Sequence, residues 1–190
     1  MLKQMILAGF GGQGVMSMGQ LLVYGGMLEG KEVAWIPSYG PEMRGGTANC
    51  SVTISSSPIS SPLVTEPDIV VAMNRPSLDK FEPLLKPGGI LFINSSLIDR
   101  PAKRTDITVY YVPVNEKAGV LGESRVANMV MLGALLQAEP LIKPLSVMES
   151  LKKVLPENKH HLLPLNAQAL AMGAEVVKEK SNKKTACKVG

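Results

Sequence analysis

Residues 5–30 read MILAGFGGQGVMSMGQLLVYGGMLEG, and the order of events in them sets the fold class. Met5–Ala8 is a short apolar run that breaks into GFGGQG. Val15, Met18, Leu21, Leu22 and Leu28 then recur at helical spacing until Gly30 supplies a stop. Strand, glycine turn and helix in that order open a layered α/β fold. Gly9, Gly11 and Gly14 have the G-x-G-x-x-G spacing, with Gly12 added and Gln13 inside the turn. Glycine permits the tight turn and lets backbone approach a ligand, while free N–H groups at a helix start favour an anion. Two readings stand: a phosphate-bearing ligand, or close glycine packing with nothing bound. A dinucleotide site also requires an acid about 20 residues on, at the end of the second strand. Here that strand, Val33–Ile36, runs into Pro37 and Ser38, while Glu29 and Glu32 come too early. NAD binding loses its main support.

A second glycine-rich stretch, SYGPEMRGGTANC at 38–50, follows that strand. Gly40 and Pro41 impose a turn, Gly45 and Gly46 permit positive φ or close backbone approach, and Arg44 offers a planar, permanently charged donor fork. The stretch leaves the carboxyl edge of the sheet on the same side as GFGGQG, which is where open α/β sheets hold ligands. The alternative is local: Glu42 pairs with Arg44 and braces a long loop.

Thr47–Ser55 alternates enough to form a third strand, and residues 55–63, SSSPISSPL, have no hydrophobic period and read as a surface turn. Asp68–Met73 has a buried-strand pattern, Ser77–Leu85 a helical one, and Ile90–Asn94 and Thr108–Val114 read as further strands. From Ser124, placed as an N-cap, SRVANMVMLGALLQAEP is apolar nearly all round and stops at Pro140. Such a helix is central in its fold or covered by another subunit. Met129 and Met131 within it, like Met43, read as core filler or as adaptable interface residues. Leu145–Leu155 and Leu165 to about Lys178 complete a helical C-terminal part. The expectation is an α/β protein with a mostly parallel sheet and helices on both faces.

At 190 residues the chain fits one domain able to bury about 70% of its unfolded surface. The 45% hydrophobic and 4% aromatic content describes an aliphatic interior. The net charge of +4 is concentrated at the end: Lys178, Lys180, Lys183, Lys184 and Lys188 stand there with one acid, Glu179. Removing those five bases and one acid leaves 15 bases against 15 acids. The expected organisation is one domain over 1–177 and a basic flexible tail over 178–190, either solvated or facing an acidic partner. A neutral body gives no footprint for nucleic acid.

Two cysteines, Cys50 and Cys187, cannot build a four-ligand cluster, so no iron–sulfur cluster or structural zinc is expected on this chain. Both read as reduced thiols of a cytoplasmic protein. The initial apolar run is too short for a secretory signal, and no run reaches the roughly 18 apolar residues of a membrane span. His160 and His161 are adjacent and read as solvated. No catalytic triad, no Cys-His pair and no carboxylate cluster with metal spacing can be argued, so no catalytic or metal residue is assigned.

GFGGQGV, WIPSYGPEMRGGTANC, AMNRPSLDKF, KPGGILFINSS and NMVMLGALL together resemble the gamma subunit of the 2-oxoacid:ferredoxin oxidoreductases, over about residues 1–177. The SYGPEMRGG wording is most similar to the 2-oxoisovalerate and 2-oxoglutarate enzymes. The resemblance implies a Rossmann-like fold within a cytoplasmic, anaerobic, multi-subunit enzyme. That enzyme decarboxylates a 2-oxoacid on thiamine diphosphate, passes electrons through iron–sulfur clusters to ferredoxin and forms an acyl-CoA. It also implies alpha, beta and, where one exists, delta subunits as partners, with no cofactor held firmly by this chain alone. Gly9, Gly11, Gly12, Gln13, Gly14, Ser38, Tyr39, Gly40, Glu42, Arg44, Gly45 and Gly46 are then candidates for contact with coenzyme A or with partner subunits. Competing readings are an NAD(P)-binding module or oxidoreductase and a scaffold subunit that binds no small molecule.

Overall fold

The computed structural model describes residues 1–39 and 47–186. Its centre is a six-stranded sheet. β1 (Leu2–Phe10) pairs in parallel with β4 (Ile69–Ala72), β4 with β5 (Ile90–Asn94), and β5 with β6 (Thr108–Val112). On its other side β1 pairs antiparallel with β3 (Thr47–Ser55), which pairs antiparallel with β2 (Glu32–Tyr39) at the edge. The order is β2-β3-β1-β4-β5-β6. Five strands therefore run one way and β3 alone runs the other.

Period-two alternation divides each central strand between two cores. Met5, Leu7, Ile69 and Val71 face one side, and Ile6, Ala8, Val70 and Ala72 the other. The first core is covered by α1 (Val15–Leu28), α3 (Val114–Val120), α4 (Ala127–Ala138), α5 (Pro144–Val154) and α6 (Leu163–Ala186). The second lies under α2 (Arg75–Phe81), through Leu78 and Phe81, together with Leu85 and Ile98. Helices thus cover both faces, as expected, and β4 is buried throughout because both of its faces pack. α4 is central rather than peripheral, with Met129–Leu136 all buried.

Several boundaries differ from those read in the sequence. β1 and β2 are parallel but not neighbours, because β3 inserts between them. The strand placed at Thr108–Val114 ends at Val112: Pro113 cannot donate to a ladder, and α3, which the sequence did not predict, starts at Val114. Ser124 is not the N-cap of α4. It opens a 3-10 turn, Ser124–Val126, whose capping side chain is Glu123, accepting from the Arg125 amide at 3.1 Å. α2 starts at Arg75 because Asn74 caps it, accepting from Ser77 N at 2.9 Å, and past Phe81 it tightens into a 3-10 turn at Glu82–Leu84. The backbone of residues 178–186, which the sequence assigns to a tail, continues α6.

Candidate functional site

β1 ends at Phe10 and the chain reverses at once, with Gln13 N donating to Phe10 O at 3.2 Å. Gly12 and Gly14 take φ of 91° and 74°, the left-handed region in which a Cβ would be strained, and Gly14 is the N-cap of α1. Gly9 is glycine for a different reason. A Cβ there would lie 2.7 Å from Gln13 Oε1 and 2.9 Å from Met73 Cβ, so it lets the turn fold back on the end of β4. Gly11 has open space around its Cβ position and its residue is exposed. The glycine pattern thus contains both packing and exposed backbone.

Gln13 closes the turn. Its Oε1 accepts from Phe10 N at 2.7 Å and Asn74 Nδ2 at 3.3 Å, and its Nε2 donates to Met73 O at 3.2 Å. Gly12, Gln13 and Met73 form one wall of a crevice of about 210 Å³, and Asn115, Ser124, Arg125, Ala127 and Asn128 form the other. The crevice lies at the carboxyl ends of β1 and β4, where the connection from β1 leaves toward one side of the sheet and that from β4 toward the other. Arg125, 78% exposed, is held by Glu123, with Nη2 to Oε2 at 2.6 Å and Nε to Oε1 at 3.0 Å. The guanidinium and its neighbouring amide hold the Glu123 carboxyl down at about 2. The arrangement offers amides, a helix N-terminus and one guanidinium, itself paired with Glu123, to an anion. Asn74, Asn115, Arg125 and Asn128 were not predicted; for Asn74 and Asn115 the signal available was a polar residue placed soon after an apolar strand, as in AMN at 72–74.

Tyr39 at the end of β2 pairs with Ala48, which also pairs with Gly9, and Phe10 pairs with Thr47. Ser38, exposed, is opposite Asn49. Both ends of the second glycine-rich stretch therefore leave the same sheet edge as the glycine turn. Gly40, Glu42, Arg44, Gly45 and Gly46 lie outside the described residues, as does Met43, and so does Cys187. Among the described residues no acid takes a ribose-binding position, since β2 lies two strands from β1, about 10 Å away. Glu29 is committed elsewhere, to Lys143 N at 2.6 Å and Ser146 Oγ at 2.7 Å, and Glu32 stands at the start of β2. His160 Nε2 lies 3.0 Å from the carbonyls of Lys152 and Leu155, bracing the turn between α5 and α6. Among the described residues no group of His, Cys, Asp and Glu could hold a metal, and no helix is long and apolar enough to cross a membrane. A separate groove of about 450 Å³ between α4, α5 and α6 is apolar and carries no convergent polar set.

The sequence matches the pyruvate ferredoxin/flavodoxin oxidoreductase family over residues 4–176. The chain belongs to this family. Its similarity to subunit KorC of the 2-oxoglutarate synthase of Methanocaldococcus jannaschii is 34% identity, covering 94% of this chain and 96% of that one. Ketoisovalerate oxidoreductase subunit VorA of Methanothermobacter thermautotrophicus is 38% identical over 174 residues, covering 91% of this chain but 36% of VorA. This family member thus spans about a third of the VorA chain. The crystal structure of the gamma subunit of a keto/oxoacid ferredoxin oxidoreductase from Geobacter sulfurreducens superimposes with a TM-score of 0.82 at 26% identity, covering 94% of this chain and 98% of that one. The 2-oxoglutarate:ferredoxin oxidoreductase of Magnetococcus marinus, solved with 2-oxoglutarate, coenzyme A and succinyl-CoA bound, has the same fold at a TM-score of 0.86 and 24% identity, with 31% of its chain matched. The gamma-subunit assignment drawn from the sequence motifs agrees with the Geobacter gamma subunit, whose fold matches the mixed, mostly parallel sheet and helical C-terminal part described above.

Proposed function

We propose that this chain is the gamma subunit of a multi-subunit 2-oxoacid:ferredoxin oxidoreductase of the 2-oxoisovalerate or 2-oxoglutarate type, and that its crevice at the β1–β4 junction takes a phosphate group of coenzyme A. The complex converts a 2-oxoacid and coenzyme A into acyl-CoA and CO2, and the released electrons go to ferredoxin. Thiamine diphosphate and iron–sulfur clusters supply the decarboxylation and electron transfer, and alpha, beta and, where one exists, delta subunits carry them. This chain binds and orients. The observation that carries the reading is the convergence of the Gly12 turn, the first residues of α4, Arg125 and the amide side chains of Asn115 and Asn128 on one small crevice. A phosphate suits such a set, because backbone N–H groups, the helix dipole and a guanidinium all favour compact negative charge. Coenzyme A is the phosphate-bearing reactant of the family's reaction, and the Magnetococcus relative was solved with it bound.

A specific observation favours a second role for the same edge. Leu97, just after β5, is 52% exposed, which gives the rim an apolar contact for a neighbouring subunit. Replacing Arg125 by Ala, and separately Arg44 by Ala, in the assembled enzyme distinguishes the two. A coenzyme A KM raised about tenfold or more, with the subunits still co-purifying, supports coenzyme A contact. An unchanged KM with weakened assembly makes the edge a docking surface only.

A further inference from the structure

We infer that Asn94 is a positioning residue for the crevice, acting from beneath its floor without touching what the crevice holds; the inference rests on the reading that the crevice takes coenzyme A. Asn94 is the last residue of β5 and is completely buried. Its Nδ2 donates to Met73 O at 3.2 Å, past the end of β4, and to Asn115 Oδ1 at 2.9 Å, at the start of α3. Its Oδ1 accepts from Ser96 N at 3.2 Å, in the turn that follows β5. One amide thus ties together the segments that follow three adjacent strands.

Two of those partners are crevice walls. Met73 and Asn115 line the cavity, whereas Asn94 does not. The Met73 carbonyl also receives Gln13 Nε2, so the tie reaches the glycine turn through one shared acceptor. Ser96 reinforces the far side, because its Oγ accepts from the backbone amides of Asn115 at 3.2 Å and Glu116 at 3.3 Å. A buried amide fully engaged in this way fixes the distance between the two walls. Leaving its partners unsatisfied in a dry interior forces them to seek other contacts. Asn115 Oδ1 and Met73 O are the groups that would move, and both movements change the crevice.

The substitution Asn94→Asp keeps the shape and the acceptor toward Ser96 N but removes both donors. Ser96→Ala is a milder second variant, away from the cavity wall, that loosens only the α3 side. Both are made in the assembled oxidoreductase, with Arg125→Ala as reference and the melting temperature recorded for each. The expected result is a coenzyme A KM raised about fivefold in Asn94→Asp and about twofold in Ser96→Ala, the factors that one hydrogen bond's net worth makes in a binding constant. The 2-oxoacid KM and kcat at saturating coenzyme A stay within about twofold of wild type. A lower melting temperature with no selective change in the coenzyme A KM of either variant makes Asn94 merely structural and overturns the inference. If Arg125→Ala raises the coenzyme A KM and these two variants do not, the inference alone falls. If none of the three moves it, the coenzyme A reading of the crevice falls and the inference falls with it.

Discussion

Gly133 of α4 and Gly173 of α6 are reciprocal points of backbone contact. A Cβ on Gly133 would lie 1.9 Å from Leu170 O, and one on Gly173 would lie 1.8 Å from Val130 O. Each clash is with backbone carbonyl, which cannot rotate aside as a side chain would. Gly133→Ala and Gly173→Ala are each expected to cost about 3 kcal/mol or more, above the usual range for one added methyl group. Urea unfolding of either variant at wild-type stability would show that the helices separate at little cost.

The glycine turn predicts a graded series. Gly11→Ala meets open space at an ordinary φ and is expected to change stability by less than about 0.5 kcal/mol. Gly12→Ala also meets open space but must adopt φ 91°, at a cost of about 1 kcal/mol. Gly14→Ala adds to its left-handed φ a contact of 2.6 Å with Asn128 Nδ2, and is expected to cost about 2 kcal/mol or more. Thermal melting of the three variants checks the order, and an equal effect at all three would contradict the geometry.

Cys50 predicts a loss of stability in alkali. Burial pushes its thiol from 9.0 up to about 11, against an opposing contact with the Trp35 indole. The folded state therefore holds the proton that the unfolded chain releases first. Its contribution is complete below about pH 9 and declines by about 1.4 kcal/mol per pH unit as the pH rises toward 11. Unfolding free energies measured across pH 8–11 should fall less steeply in Cys50→Ala than in wild type, and parallel slopes would remove the assignment.

Glu29 caps α5 from a distant point in the chain. Its carboxylate accepts from Lys143 N and Ser146 Oγ and pairs with Lys31 Nζ at 3.0 Å, while Lys31 also donates to Leu141 O. Burial raises its pKa, but Lys143, Ser146 and Lys31 together outweigh that and leave it below 4.5. A depressed folded pKa stabilises above the unfolded value and loses that contribution as the pH falls through the folded one. Glu29→Ala is expected to cost about 1 kcal/mol at neutral pH, the usual worth of a helix cap. The difference from wild type should shrink below pH 4.5, and melting curves between pH 3 and 7 test it.

The α/β class was legible because its signals are local. Met5–Ala8 followed by the glycine turn, and the apolar runs at Asp68–Met73 and Ile90–Asn94, each state their conformation within a few residues. α3 was missed because VNEKAGV is too short to show a period, and its start depends on Pro113 ending the ladder. The insertion of β3 was invisible for another reason: pairing joins residues far apart in sequence, such as Gly9 with Ala48.

The same division holds for the candidate site. By itself the sequence determined the strand–turn–helix units and the motifs that carry the family, since both reside in residue types at short spacing. Only the tertiary structure decided which residues share the crevice. Gln13, Met73 and Asn115 come from segments that follow β1, β4 and β6, Asn94 at the end of β5 ties two of them from beneath, and these hydrogen bonds form only when the sheet sets the segments side by side.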